Sequence, residues 1–370
     1  MPEKTKHKQL KKLALFAKDN INSELHLQRT KQIGYTEKQY FALMLTIALF
    51  CTFAEGGGQV VNWFGHLPKG DSLLNELQKL DEKDIEEQFR KLFEKQFKNI
   101  FKITNKKPRV IVAIDATDKP TYSKKKRDDK NIVGGKRKAS TNFFFRFATI
   151  QIADKKNPLT LYAMHCTKDT TNEEIVEKLI TEARKLVRIK LLLIDRGFYS
   201  TNIFNKLEQM NVKYLMPSKH DEKTEKMFEE HLQSNYEVKP YFCSNPEKEF
   251  ADFRLIMIRL EDNKEIGYVT NMTSIKEHKA AYYIKLYQRR WNIETGYRMQ
   301  NMFLAKTCSV NPSVRLFYFS YAVALHNQWV VIKKNVQEEG FEVPILLVHF
   351  MLITFVIVEF LDVKNIMEIS

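Results

Sequence analysis

Two aspartates in this 370-residue chain follow short apolar runs rich in β-branched or aliphatic residues: Asp115 closes RVIVAID and Asp195 closes KLLLID. A carboxylate is costly to bury unless it is exposed at a sheet edge, paired, or bound to a cation. In open α/β sheets, sites form at the carboxyl ends of strands, where both aspartates are expected. A third acid, Glu294, lies in a helical stretch in which Tyr287, Arg290, Glu294, Arg298 and Asn301 advance by three or four residues and so share a face. Three hard oxygen ligands without histidine or cysteine suit Mg²⁺ or Mn²⁺. Two such ions at a phosphodiester activate an attacking oxygen and stabilise the leaving one. Taken singly, each acid also reads as a turn cap or a solvated helix charge. Asp118 competes with Asp115 as first ligand, but is expected beyond the strand, beside Pro120.

The elements that must position these acids form an α/β pattern. Residues 1–104 read as helical: one run from Tyr35 stops at the triple glycine Gly56–Gly58, and a second, from Ser72 to Phe101, is capped by Asp71 or Ser72. Strands follow at 109–115, 142–153 and 159–166, then an amphipathic helix at 172–187, a buried strand at 190–198, another helix and the strand KYLMPS. This is a mixed sheet with flanking helices over 105–235. Residues 236–273 turn β-rich again, with a hairpin at EDNKE, and 274–370 are almost wholly helical. That last stretch includes one long helix over 278–303 that buries Trp291 and Ile293, and His326 is expected as a satisfied core residue.

Composition narrows the partners. Lys and Arg outnumber Asp and Glu by 60 to 45, a net charge of +15 that suits a polyanion, though a Lys-rich solvated surface has the same composition. The basic, turn-rich stretch 122–141, with Lys124, Lys125, Lys126, Arg127, Lys136, Arg137 and Lys138, reads as a DNA path near Asp115 or as a solvated loop. The four cysteines are too scattered for a zinc or disulfide framework, which fits a reducing cytoplasm. No signal peptide is visible, and the apolar run 345–358 is too short to span a membrane and reads as a buried helix.

The segments AIDATDKP, FFFRFATIQIA, LLLIDRGFYS, YLMPSK and YQRRWNIETGYRMQ resemble the DDE-type (Asp-Asp-Glu) transposases of prokaryotic insertion sequences, insertion-sequence-four type. That resemblance implies an RNase H-like core with a β-rich insertion before the last catalytic helix. It implies that Asp115, Asp195 and Glu294 are catalytic and bind two Mg²⁺ or Mn²⁺ ions. The family signature runs Tyr, two residues, Arg, three residues, Glu, six residues, Lys; Tyr287, Arg290 and Glu294 match it, and the last position falls on Asn301. Tyr287, Arg290 and Arg298 are accordingly expected to contact DNA, as are Lys136, Arg137 and Lys138, and residues 1–104 to bind DNA ends. The expected partners are double-stranded DNA (terminal inverted repeats and target) and a second copy of the chain, in a prokaryotic, nucleoid-associated setting without membrane. The expected reaction is cut-and-paste transposition; a catalytically idle DNA-binding relic and a metal nuclease are the competing readings.

Overall fold

The computed structural model describes residues 20–337 except 30–33, 63–64, 66, 102–105, 123–128, 246–248 and 274–279, together with isolated positions between 344 and 356. Lys124, Lys125, Lys126 and Arg127, and most of the apolar run 345–358, lie outside the described residues.

The described residues before β1 are mainly helical, in shorter pieces than the sequence suggests. Helix α1 (Glu37–Leu49) starts on a Thr36 capping box and ends at Phe50, followed by Cys51 at φ 47°. The triple glycine does not end a helix but lies inside α2 (Ala54–Asn62). A Cβ on Gly57 would collide with Ile47, and one on Gly58 would lie 3.0 Å from the Gly70 amide, so these glycines permit close helix packing. The next helical run is also split, into α3 (Gly70–Gln78) and α4 (Glu82–Ile100). Asp81, not Asp71 or Ser72, makes a capping bond, accepting from the Lys83 amide at 2.8 Å.

Among the described residues, nine strands form one sheet: β1 (Arg109–Pro120), β2 (Val133–Lys138), β3 (Thr141–Ile152), β4 (Thr160–Cys166), β5 (Arg188–Ile194), β6 (Tyr214–Pro217), β7 (Tyr236–Ser244), β8 (Phe250–Arg259) and β9 (Glu265–Thr270). Their order is β2-β3-β1-β5-β6-β9-β8-β7, with β4 sharing the outer edge of β3. The basic stretch contributes a strand, β2, where sequence alone shows only turns. The late β-rich segment forms strands as expected and joins the same sheet through Met216↔Val269. Helices α5 (Asn172–Leu186), α6 (Thr201–Gln209) and α7 (Glu222–His231) connect the strands. The expected long helix is broken into α8 (Ala280–Gln288) and α9 (Trp291–Asn301), and α10 (Pro312–Gln337) follows.

Strand alternation gives the sheet two apolar faces. Val112, Ile114, Leu192 and Ile194 face a core with α5 and α6. Ala113, Leu191 and Leu193 face the other core, with Ile293 of α9 and much of α10. The N-terminal helices join that second core: Phe89 packs edge-on to Phe317 of α10, and Gln96 Nε2 donates to the Ala324 carbonyl at 2.8 Å. No described helix is long and apolar enough to cross a membrane.

Candidate active site

β1 and β5 run parallel, and their pairing ends at Ile114↔Ile194. The next residue on each strand is an aspartate. Parity puts Asp115 with Ala113 and Asp195 with Leu193, on the face covered by α9. Beyond Ile114, β1 stays paired only with β3, as far as Pro120, so Asp115 stands where the sheet splits. Asp195 leaves its strand and caps a short 3₁₀ turn (Arg196–Phe198), accepting from the Gly197 amide at 3.2 Å. The RGF segment expected to extend the strand is therefore a turn.

Glu294 approaches from the first turn of α9. The break before α9 is a tight turn in which the Arg290 amide donates to the Tyr287 carbonyl at 2.8 Å. That turn directs the Arg290 side chain between the acids. Its Nη2 donates to Glu294 Oε1 at 2.5 Å and lies 3.8 Å from Asp195 Oδ1, while Nη1 lies 3.7 Å from Asp115 Oδ2. One guanidinium thus touches all three carboxylates. Burial disfavours its charge, yet Tyr287 and the three acids hold its pKa above the ordinary arginine value. Burial pushes Asp115 up to about 6, against the attraction of Arg290. The acid side chains are 19% (Asp115), 44% (Asp195) and 31% (Glu294) exposed, so the cluster opens to solvent through Asp195 and Glu294.

Two tyrosines fasten the helices to the strand ends. Tyr287, on α8, donates to the Ile194 carbonyl at 3.4 Å, beside Asp195. Tyr297, one turn after Glu294, donates to the Asp115 carbonyl at 2.9 Å and meets Thr149 Oγ1 at 2.7 Å. Thr149 is the β3 partner of Asp115. Beside it, Gln151 Nε2 donates to the Asn292 carbonyl at 3.3 Å, under the start of α9. The sequence reading missed Tyr297, Thr149 and Gln151. Their signal was two polar residues facing one way in an otherwise apolar strand, FATIQI.

The other expected site residues fall in different places. Tyr287 and Arg290, expected to face DNA, are 9% and 7% exposed and are committed to the acid cluster. Arg298 is exposed on α9, and Lys136, Arg137 and Lys138 are exposed on β2. Asp118 lies within β1 rather than beyond it, and its even position turns it away from Asp115. There it forms a paired contact with Arg146, at 2.8 and 3.2 Å. Asn301 Oδ1 accepts from Lys119 Nζ at 2.6 Å. Trp291, expected in the core, is 54% exposed, whereas Ile293 is buried.

Among the described residues, no group of three His, Cys, Asp or Glu side chains is gathered closely enough to hold a metal ion as it stands. The donor chemistry nevertheless fits one: three hard-oxygen ligands without nitrogen or sulfur, already drawn around a cationic group.

A family model described as the transposase DDE domain matches residues 106–319. Among solved structures, a cryo-EM structure of a piggyBac transposase synaptic complex with hairpin DNA is similar in fold, with a TM-score of 0.59 at 13% identity. The match covers 94% of this chain and 79% of that one. No curated protein matches the sequence.

Proposed function

The chain belongs to the transposase DDE-domain family, and from that premise we propose that Asp115, Asp195 and Glu294 are the catalytic acids that give the family its name. It is a DNA transposase, an enzyme that breaks and rejoins DNA phosphodiesters. The observation that carries the assignment is the convergence of all three acids on one guanidinium at the split between β1 and β5.

DDE transposases use divalent metal ions, and the three carboxylates would hold two of them here, Mg²⁺ or Mn²⁺. Bound there, the ions supply Lewis acidity and lower the pKa of an attacking water or hydroxyl. The chain's own residues do the rest. Arg290 offsets the repulsion of three clustered carboxylates and keeps them together without metal. Tyr287 and Tyr297 fix the backbone beside each aspartate, so the acids are held by secondary structure on both sides. Arg298 on α9 and Lys136, Arg137 and Lys138 on β2 are exposed cations suited to phosphate contacts.

In the fuller reading, the enzyme is of the insertion-sequence-four type, from a prokaryotic cytoplasm, working on the nucleoid. It cuts at terminal inverted repeats and joins the freed 3′ hydroxyls to target DNA, as a homodimer that pairs two ends. Residues 1–104 contribute to binding those ends. Supporting this are the net charge of +15 and the ordered match of AIDAT, DRGFYS and Tyr287-Arg290-Glu294. The test uses the DNA bordering the coding sequence on both sides, with Mg²⁺, Mn²⁺ or chelator. Metal-dependent nicking at inverted repeats, lost in Asp115→Ala, is expected; cleavage that survives chelation would refute the reading.

A further inference from the structure

At the edge of the sheet where β1 begins, six residues before Asp115 and beside the start of α9, lies an open groove of about 1050 Å³. Six cations from four separate elements line it: Arg109 at the start of β1, Lys155 and Lys156 in the β3–β4 turn, Lys190 on β5, and Lys285 and Arg289 around the end of α8. All six are exposed, and none forms an ion pair with a described residue. The one acid in the lining, Asp154, is held in the turn, accepting from the Lys156 amide at 3.0 Å. Six like charges around one cavity, unpaired among the described residues, repel one another, and a polyanion removes that cost. The groove also carries the exposed ring of Trp291, over a floor that includes Val110, Ile111 and Ile152. An indole left in solvent among cations suits contact with a sugar face beside phosphates.

We infer that this groove is a second DNA-contact surface, seating the backbone of a duplex away from the cleaved bond. Its position sets the spacing. Arg109 lies six residues before Asp115 on one strand, which at ~3.3 Å per residue is ~20 Å. Along duplex DNA at ~3.4 Å per base pair, that is about six base pairs from the phosphodiester at the acids. Trp291 begins the helix that carries Glu294, so DNA in the groove bears directly on the element that completes the acid cluster. The inference rests on reading Asp115, Asp195 and Glu294 as the cutting site, but only for the spacing; the contact itself is tested by binding.

The experiment compares the full-length protein with the triple variant Arg109→Gln, Lys190→Gln, Arg289→Gln. A control triple, Lys226→Gln, Lys239→Gln, Lys264→Gln, removes the same charge from exposed Lys226 on α7, half-exposed Lys239 on β7 and exposed Lys264 in the β8–β9 turn. Affinity for a generic duplex of about 40 base pairs is measured against salt, because backbone contacts carry no sequence information. The groove variant should bind at least about tenfold more weakly at low salt, with a log–log salt slope shallower by about 2.7, or 0.9 for each lost contact. The control should keep the wild-type slope. Equal slopes for wild type and groove variant, or an equal loss in the control triple, would overturn the inference. Neither outcome depends on which residues cut.

Discussion

Tyr297 donates its hydroxyl hydrogen to the Asp115 carbonyl across 2.9 Å and takes one from Thr149 at 2.7 Å. This chain joins the helix of Glu294 to the strand of Asp115 through atoms that bear no charge. Tyr297→Phe removes the link and leaves a buried carbonyl and hydroxyl without their partner, at a cost of about 1–2 kcal/mol. A lower Tm with reduced cleavage is expected, and cleavage should fall further in Thr149→Val, Tyr297→Phe only if the two groups act separately. An unchanged Tm in Tyr297→Phe would show that the hydroxyl holds nothing.

Gly296 faces Gln151, and a Cβ there would lie 2.6 Å from Gln151 Oε1. Gln151 is 1% exposed and has little room to retreat. Gly296→Ala should therefore lift α9 from the sheet, costing about 1–3 kcal/mol and drawing Glu294 out of register with the aspartates. Gln151→Ala in the same chain should restore much of both stability and cleavage. A Gly296→Ala enzyme as stable and active as wild type would contradict this packing.

Lys119 reaches Asn301 from the strand of Asp115, and burial lowers its pKa to about 8, which leaves it mostly charged at neutral pH. Asn301→Lys replaces its acceptor with a like charge. Stability at pH 7 should fall in Asn301→Lys and recover in Lys119→Met, Asn301→Lys, where one ammonium remains. Thermal denaturation of the four proteins checks the pairing; additive losses would show that the two positions do not interact.

His326 lies in the core of α10, and burial pushes its pKa down from 6.5 to about 4. Its Nδ1 has no hydrogen-bond partner among the described residues, where its apolar neighbours suggest a satisfied core histidine. The folded state disfavours the protonated ring, while the unfolded chain accepts a proton below about pH 6.5. Its contribution is complete above that value and is lost as the pH falls from 6.5 to 4, by up to about 3 kcal/mol. Denaturant unfolding of wild type and His326→Phe across that range should show a shallower acid loss in the variant. Parallel pH profiles would assign the loss to other groups.

The two aspartates were legible because apolar runs end in them, and the sheet order puts those runs side by side, although β1 itself goes on past Asp115 to Pro120. Glu294 was legible from helical spacing with Arg290. Arg290 itself was read as a DNA contact, because spacing gives the face of a helix but not the tight turn that aims this side chain inward. The glycines at 56–58 misled for a related reason: a run of glycine reads as a breaker when the packing partner, Ile47, is unseen. Strand β2 was hidden by its composition, VGGKRK, which has no apolar alternation and pairs only at a sheet edge. Asp118 was set apart from Asp115 as lying beyond the strand, whereas it lies inside β1 and is set apart by strand parity and its pairing with Arg146.

The central claim, that Asp115, Asp195 and Glu294 make one metal site, is tested most directly by Mn²⁺ binding. Electron paramagnetic resonance counts free Mn²⁺ in titrations of the wild type and of Asp115→Ala, Asp195→Ala and Glu294→Ala, each checked for folding by circular dichroism. The wild type should bind two ions, and each alanine variant should bind at least about tenfold more weakly or lose an ion. Three folded variants that bind Mn²⁺ as the wild type does would contradict the account.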